Sequence, residues 1–216
     1  MIKIRFTGLV SFFLILIFLS NSGIVFSAQK GGIQYTMPVD YSFFDEKALN
    51  NETELLFNRY LMSENEQQKQ IFLNQLLSNY SILGNIDSEN PLYFTRLGIV
   101  YDKLGKDRYA KSNLSRSLNM IENNVYAYYA FGDFYYTRSQ YLKALFFYKR
   151  AYETGYDKNF DTLYRIAKIY EKLGDFSNAI IYYKKALEVK DTQNIRFEIT
   201  KLEGLLNNNS LYNKRR

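Results

Sequence analysis

The sequence predicts an all-α solenoid of three helix–turn–helix repeats with capping helices, and two observations lead to this fold class. The stretch YDKLG at Tyr101–Gly105 recurs almost unchanged as YEKLG at Tyr170–Gly174, 69 residues later. That distance divides into 34 and 35 residues, and a weaker copy, YYTRS, begins in between at Tyr135. Around each copy the apolar residues follow helical spacing, so the period indicates stacked helix pairs.

The first helix of each repeat carries apolar residues at positions i, i+3 and i+7, which form one buried stripe. A small residue at i+4, which is Gly98, Gly132 or Ala167, lets a second helix approach closely. The three stripes are Phe94–Leu97–Gly98–Tyr101, Tyr128–Phe131–Gly132–Tyr135 and Leu163–Ile166–Ala167–Tyr170.

The second helix of each repeat alternates small and large residues along one face, and each face begins with an alanine that we predict to pack against the first helix. The three faces are Ala110–Leu114–Ser117–Leu118, Ala144–Tyr148–Ala151–Tyr152 and Ala179–Tyr183–Ala186–Leu187. Gly105, Ser139 and Gly174 stand between the two helices, where the chain must turn and glycine adopts a positive φ at little cost. We therefore predict a tight helix–helix turn at each of these positions.

A 34-residue unit with this order of aromatic, Leu, Gly and Tyr, then Ala, aromatic and Ala, resembles the tetratricopeptide repeat. The resemblance covers Pro91 to Lys190 and implies a right-handed α-solenoid with repeats at residues 91–124, 125–159 and 160–192. The sequence departs from the family pattern because it lacks the Trp that often opens a repeat and the Pro that often closes one. The third unit carries one extra residue, which we place in the loop Thr154–Lys158.

Both ends of the array are predicted to be capped, because an end repeat would otherwise leave an apolar face in water. Residues 193–207 form the predicted C-terminal capping helix, followed by a disordered tail at 208–216. The apolar residues of that helix recur at i, i+4, i+7 and i+11: Ile195, Ile199, Leu202 and Leu206.

Upstream, residues 45–90 contain two predicted amphipathic helices, Asp45–Met62 and Glu64–Leu83. Their apolar faces are predicted to contain Leu49, Leu55, Leu56 and Tyr60 in the first helix, and Ile71, Phe72, Leu76 and Leu77 in the second. This pair is either a degenerate fourth repeat or an unrelated N-terminal cap.

The N-terminus has the pattern of an export signal, with two cations before an apolar stretch of the length expected for a signal peptide. We predict a signal peptide at residues 1–27, cleaved after Ser27 or next after Ala28, and a flexible leader at 28–44. The alternative is an uncleaved membrane anchor at Phe6–Ala28. Together with a composition typical of an AT-rich bacterial genome, this indicates an exported protein of the periplasm or cell envelope.

Composition removes several classes of chemistry. The chain has no Cys and no His, so thiolate nucleophiles, imidazole acid–base catalysis and Cys or His metal sites are excluded. No Gly-rich phosphate loop is present, and Asp102, Asp107, Glu171 and Asp175 flank turns, where capping is the expected role. We therefore expect a non-catalytic protein with no cofactor and no metal. The net charge of +6 is spread along the chain, so we expect no nucleic-acid partner.

A second stripe on the first helices lies outside the packing register. In the second repeat it consists of Tyr126, Tyr129, Asp133 and Tyr136, and in the third of Asp161, Tyr164, Lys168 and Glu171. In the first repeat it consists of Leu92, Thr95, Ile99 and Asp102. In the resembled family this stripe faces the concave groove, which implies a partner-binding surface with an aromatic centre.

Three functions stay open on these residues. The first is a protein–protein interaction scaffold or adaptor of the cell envelope that binds a partner segment in the groove. The second is a binder of a small molecule or cell-wall fragment, which requires a closed pocket, and the third is an enzyme of unrecognised type. The alternative for the Tyr residues is that they cover the N-terminal helix pair or the neighbouring repeat helix.

Overall fold

The computed structural model describes residues 14–20, 23–30, 33–37, 41 and 44–213. The chain divides into two compact units, Met1–Glu89 and Asn90–Arg216. The second unit contains the three repeats, and its described residues confirm the predicted helical repeat solenoid.

Three short strands in the first unit are an element that the sequence analysis did not predict. Strands β1 (Leu14–Ser20), β2 (Gly23–Lys30) and β3 (Ile33–Met37) form an antiparallel sheet in the order β1-β2-β3. Their Ile, Val, Phe, Tyr and Thr residues suit strands, which explains why a segment with an apolar run can form a sheet. Residues 28–30 and 33–37 of the predicted flexible leader thus lie in strands instead.

The predicted signal peptide at residues 1–27 falls partly on residues 1–13 and 21–22, which lie outside the described part of the chain. Cleavage after Ser27 and the uncleaved anchor both stay predictions. Among the described residues, no helix combines the length and apolar character needed to cross a bilayer.

Helices α1 (Glu46–Met62) and α2 (Glu66–Ile86) form the upstream pair, each with an Asx N-cap. The buried stripes run through Thr53 and Phe57 in α1, and through Leu73, Leu76, Leu77 and Tyr80 in α2. The predicted faces were therefore partly wrong, since Leu55 and Ile71 are exposed. Apolar residues occupy two adjoining stripes in both helices, and spacing alone does not choose between them.

The helices of the pair are connected by the hydroxyl of Tyr80, which donates a 2.8 Å hydrogen bond to Oε1 of Glu54. Glu64, which lies 34 residues before Gly98, falls in the connection between α1 and α2 rather than inside a helix. The pair is thus out of register with the 34-residue period.

The repeats contain helices α3 (Pro91–Lys103) and α4 (Asp107–Met120), α5 (Val125–Thr137) and α6 (Tyr141–Ala151), and α7 (Phe160–Lys172) and α8 (Phe176–Val189). The three first helices begin at residues 91, 125 and 160, where the predicted repeats begin. Each follows an Asn whose side-chain oxygen accepts a hydrogen bond from a backbone N–H of the first turn: Asn90, Asn124 and Asn159.

The turns inside the repeats have the expected backbone. Gly105, Ser139 and Gly174 have φ values of 69°, 56° and 78°, the left-handed region that ends a helix. The second and third repeats are 35 rather than 34 residues apart, and the extra residue is accommodated by a π-helical turn at Tyr152–Tyr156. Gly155 in this turn has a φ of 136°.

Helix pairs pack closely because of the small residues. A Cβ atom on Gly98 would lie 2.6 Å from the side chain of Leu114, and one on Gly132 would lie 2.6 Å from the ring of Tyr148. Ala167 is fully buried in the third repeat. The alanines that open the second-helix faces, Ala110, Ala144 and Ala179, are fully buried as well.

Helix α9 (Gln193–Asn213) covers the last repeat. Ile195, Ile199 and Leu202 are buried in one cluster with Ala179 and Tyr183 of the second helix of repeat three. The helix extends six residues past the predicted boundary at 207, into the predicted disordered tail, because no Gly or Pro interrupts residues 205–213. Residues 214–216 of that tail lie outside the described part.

Candidate partner-binding site on the second repeat

The aromatic stripe of α5 starts with an exposed ring. Tyr126 is 58% exposed, and its ring meets that of Tyr156 edge-to-face at a centroid distance of 5.9 Å. Tyr129 is half-buried between Tyr156, at 5.8 Å, and Tyr148, at 5.4 Å. The rings of Tyr126, Tyr129 and Tyr156 thus form one continuous aromatic surface at the start of α5, in the edge-to-face arrangement that aromatic pairs prefer.

A polar group follows this surface one turn along α5. The hydroxyl of the fully buried Tyr148 donates a 2.5 Å hydrogen bond to Oδ1 of Asp133. Arg165 of α7 places Nη2 3.7 Å from the same oxygen, and its guanidinium lies 5.1 Å from the centre of the Tyr136 ring. Asp133 therefore joins three helices, α5, α6 and α7.

The surroundings of Tyr129 keep its hydroxyl protonated. Burial and the nearby charge of Asp133 raise the pKa of Tyr129 to about 12, although Arg165 acts in the opposite direction. Burial and the same carboxylate raise the pKa of Tyr148 further. For Arg165, burial would lower the pKa, but Asp133 and the two tyrosines outweigh it and raise the pKa. The site presents neutral phenols beside a permanent cation.

The third repeat places a charged network where the second has aromatic rings. Glu171 accepts hydrogen bonds from the Tyr183 hydroxyl at 2.9 Å and from Nζ of Lys168 at 3.1 Å. Lys201 of α9 bonds both Glu171 and Glu198, at 3.4 and 3.0 Å. Burial would raise the pKa of Glu171, but the hydrogen bonds from Tyr183 and Lys168 outweigh it and lower the pKa.

Tyr164 is half-buried rather than open. Its ring stacks on Phe160 at 6.1 Å and tilts against Tyr183 at 5.9 Å. Lys168, which the sequence places in the stripe of the third repeat, is engaged by Glu171 and Glu198. The third repeat therefore extends the site with paired charges.

The first repeat differs from the predicted stripe, because Thr95 is buried. Its hydroxyl lies 2.7 Å from that of Ser117, which also donates to the carbonyl of Pro91 at 2.7 Å. Nδ2 of Asn124 donates to the Ser117 hydroxyl at 2.9 Å. Thr95 thus belongs to a buried polar network that connects α3, α4 and the cap of α5. Asp102, also predicted in the stripe, pairs with Arg138 at 2.7 Å.

Of the other two turn carboxylates, Asp175 caps a helix as predicted, whereas Asp107 forms an ion pair instead of a cap. Asp107 accepts two hydrogen bonds from the Arg138 guanidinium, at 2.9 and 2.5 Å. Asp175 caps α8 by accepting from the backbone N–H of Asn178 at 3.1 Å. Among the described residues, no group of three or more Asp or Glu side chains could hold a metal ion.

Sequence reasoning missed two residues of the site, Arg165 and Tyr156. Arg165 directly follows Tyr164, one position outside the stripe, and reaches Asp133 only because α7 lies beside α5 and α6. Tyr156 enters through the π-helical turn, which no local pattern predicted. The alternative in which the tyrosines cover a neighbouring helix applies to Tyr129, whereas Tyr126 stays exposed.

Two pockets of the second unit are open clefts rather than the enclosed cavity that a small-molecule binder would need. One has a volume of about 530 Å³ and is lined by residues such as Tyr152, Leu163 and Lys185. The other, of about 320 Å³, lies beside Leu92, Ile121 and Tyr126 at the start of the aromatic surface.

The comparisons with known proteins agree with this architecture. The family model for the tetratricopeptide repeat matches residues 160–192, the third predicted repeat. No curated protein sequence matches the chain.

Solved structures share the fold at low sequence identity. The crystal structure of the MamA protein is 18% identical, covers 76% of this chain and 90% of its own, and has a TM-score of 0.54. MamA from AMB-1 is 20% identical over 76% of this chain and 85% of its own, with a TM-score of 0.56. PilF of Pseudomonas aeruginosa is 17% identical, with a TM-score of 0.60. The match covers 79% of this chain and 70% of PilF. The chain therefore contains a tetratricopeptide repeat at residues 160–192, within a helical solenoid formed by three helix pairs of this kind.

Proposed function

We propose that the protein is a non-catalytic interaction scaffold of the bacterial cell envelope, and that its second repeat binds a segment of a partner protein. The tetratricopeptide repeat at residues 160–192 supports the general role, because repeat solenoids present extended surfaces for partner proteins. The export-signal pattern at residues 1–27 supports the location.

The observation that carries the proposal is the aromatic surface of Tyr126, Tyr129 and Tyr156 beside the Asp133–Arg165 pair. Its rings are held by one another and by the buried Tyr148 before any partner arrives. Aromatic side chains bury a large area on binding and lose little side-chain entropy. A pre-ordered surface also reduces the cost of association, so the partner segment bears most of the ordering.

The polar groups of the site suit a peptide. Neutral phenol hydroxyls can donate to backbone carbonyls, and the contacts of Arg165 with Asp133 and with the Tyr129 hydroxyl use only part of its five N–H donors. An extended or helical segment with an apolar side chain for the Tyr126 ring, and a carbonyl or carboxylate near Arg165, fits this arrangement.

Affinity capture from solubilised envelopes with matched variants tests the proposal. Tyr126→Ala removes the exposed ring of the site, and Tyr109→Ala removes an exposed ring of α4 that stacks on Tyr101. We expect Tyr126→Ala to reduce recovery of the partner at least tenfold, because buried aromatic anchors dominate such interfaces, while Tyr109→Ala retains it. Thermal melting of both variants checks folding. Equal recovery by Tyr126→Ala and the unaltered protein would remove the site assignment.

The location has a separate test. Mass spectrometry of the protein isolated from cells distinguishes a chain cleaved after Ser27 from one that keeps Met1, and fractionation then separates periplasm from membrane. A full-length chain found only in the cytoplasm would contradict the envelope role and leave the binding site untouched.

A further inference from the structure

The outer face of α6 combines exposed apolar side chains with cations. Leu142 is 72% exposed and Phe146 is 58% exposed, one helical turn apart. Lys143 and Lys149 flank Phe146 at positions i−3 and i+3, so all four side chains share one face. Phe146 lies two residues from the buried Tyr148, about 200° around the helix, and therefore points away from the aromatic site.

Two of these four positions continue the surface on α8, while the counterparts of Leu142 and Lys143 are Ser177 and Asn178. Ile181, 35 residues after Phe146, is 49% exposed, and Lys184 occupies the position equivalent to Lys149. Helix α8 contacts the π-helical turn that follows α6, because Nζ of Lys185 donates a 3.0 Å hydrogen bond to the Tyr152 hydroxyl. Leu142, Phe146 and Ile181 thus form an apolar ridge bordered by lysines, which we call the outer ridge.

The positive charge of the repeats is concentrated on the second helices. Helices α4, α6 and α8 together contain eight basic residues (Lys and Arg) and two acidic residues (Asp and Glu). Helices α3, α5 and α7 contain five basic and four acidic residues. The second helices therefore carry a net +6, and the first helices carry +1. This asymmetry is not visible in the chain as a whole, where cations appear dispersed.

Two of the three lysines that border the outer ridge, Lys143 and Lys149, are available to an external anion, whereas Lys184 is paired. Lys143 lies over the ring of Tyr135 at 5.4 Å, and among the described residues no carboxylate stands within ion-pair distance of Lys143 or Lys149. Glu153, in the π-helical turn after α6, pairs with Arg150 at 3.5 Å, and Glu203 of α9 pairs with Lys184 at 3.0 Å. Glu188 is at the far end of α8.

We propose that the outer ridge binds the surface of a bilayer rich in anionic lipid, with Leu142, Phe146 and Ile181 entering the interface and the surrounding lysines contacting lipid phosphates. Apolar side chains between cations are the pattern of peripheral membrane attachment. Two of the three apolar residues are aliphatic and cannot stack on bases, which favours a lipid surface over a single-stranded nucleic acid. The binding is distinct from any attachment through residues 6–28 and leaves the aromatic site of α5 free for a protein partner.

The absence of Trp from the chain allows a direct test in the full-length protein. Phe146→Trp places a single fluorophore on the outer ridge, and Tyr126→Trp places one on the opposite face at a position with the same 58% exposure. Each variant is mixed with vesicles of phosphatidylglycerol and phosphatidylcholine, or of phosphatidylcholine alone. We expect the emission of the Phe146→Trp protein to shift to shorter wavelength and to be quenched by brominated acyl chains with anionic vesicles only. The Tyr126→Trp protein should show neither effect.

A second experiment removes positive charge from the outer ridge. Adding Lys143→Gln and Lys149→Gln to the Phe146→Trp protein should weaken its partition onto anionic vesicles by on the order of 20-fold. Lys103→Gln and Lys172→Gln on the first helices remove the same charge, and they should leave partition onto anionic vesicles within about twofold of the Phe146→Trp parent.

Several outcomes would overturn the proposal. Sedimentation with vesicles but no shift at position 146 would assign attachment to another segment, such as residues 6–28. A shift of equal size with zwitterionic vesicles would remove the role of charge. A shift caused by single-stranded DNA and not by vesicles would assign the face to nucleic acid, and a concentration-dependent shift without vesicles would assign it to self-association.

Discussion

The hydroxyl of Tyr148 reaches from the buried side of α6 to Oδ1 of Asp133 on α5, at 2.5 Å. The third repeat has an equivalent bond, from Tyr183 to Glu171 at 2.9 Å, although its acceptor lies one turn further along the first helix. In the first repeat the corresponding residue is Leu114, whose side chain has no hydrogen-bond donor. Two of the three repeats therefore connect their core directly to the second stripe of the first helix, the candidate binding surface.

Removing the Tyr148 hydroxyl should cost stability. We expect Tyr148→Phe to lower the free energy of unfolding by about 1.5–3 kcal/mol, because a hydrogen bond to a charged acceptor is lost while the ring still fills the core. Tyr141→Phe is the control, since its hydroxyl makes only a 3.5 Å contact with Ser139. Urea unfolding of both variants measures the difference. Equal midpoints for the two variants would show that the hydrogen bond from Tyr148 to Asp133 does not stabilise the fold.

Helix approach in the second repeat depends on the missing side chain of Gly132. A methyl group there would meet the Tyr148 ring at 2.6 Å, so Gly132→Ala should destabilise the protein by about 1–3 kcal/mol despite the better helix propensity of alanine. Thermal or urea unfolding monitored by circular dichroism at helical wavelengths measures the change.

Gly204 provides the matched control, because it lies in α9 and a Cβ atom there would have no neighbour within 4 Å. Gly204→Ala should therefore stabilise the protein by about 0.5–1 kcal/mol through helix propensity alone. Opposite signs for the two substitutions are the expected result. A stabilising effect of Gly132→Ala would mean that α5 and α6 do not approach as closely as described.

The repeat fold could be predicted because its determinants are local and periodic. Gly98, Gly132 and the turn at Gly105 recur at a fixed spacing, and each serves the same packing or turning role in its own repeat. The faces of α1 and α2 were predicted less well, since Leu55 and Ile71 belong to an apolar stripe adjoining the buried one. The strands of Leu14–Met37 were not predicted, because an apolar, β-branched run suits several structures.

The candidate site could be predicted only in part, because it is assembled from different repeats. Tyr126 and Tyr129 follow from the spacing within α5, but Arg165 joins them from α7 and Tyr156 from the π-helical turn. Thr95 was wrongly included in the stripe, because it has the right spacing and yet lies in a buried network with Ser117. Spacing identifies a helix face but not the neighbour that covers it.

Arg138 connects the turns of the first two repeats. It binds Asp107 through two nitrogens and Asp102 through a third, and it lies over the Phe134 ring at 3.6 Å. Arg138→Lys should lower the urea midpoint even though the charge is kept, because an ammonium group cannot reproduce the planar fork. Arg108→Lys on the exposed side of α4 is the control and should have no effect. The loss should shrink in concentrated salt, and a loss independent of salt would mean that packing on Phe134 dominates.

Acid should weaken the third repeat through Glu171. The folded state lowers the pKa of Glu171 below its ordinary value of 4.5, so the unfolded chain takes up this proton first as the pH falls. The stability contributed by the carboxylate is therefore fully present above about pH 5.5, decreases as the pH drops below the ordinary value, and is lost once the folded protein is protonated too. Glu171→Gln keeps an acceptor for the Tyr183 hydroxyl but removes the charge that Lys168 and Lys201 contact. The urea midpoints of the unaltered and Glu171→Gln proteins should differ most near neutral pH and converge as the solution is acidified to about pH 3. A constant difference across this range would show that the charge of Glu171 does not stabilise the fold.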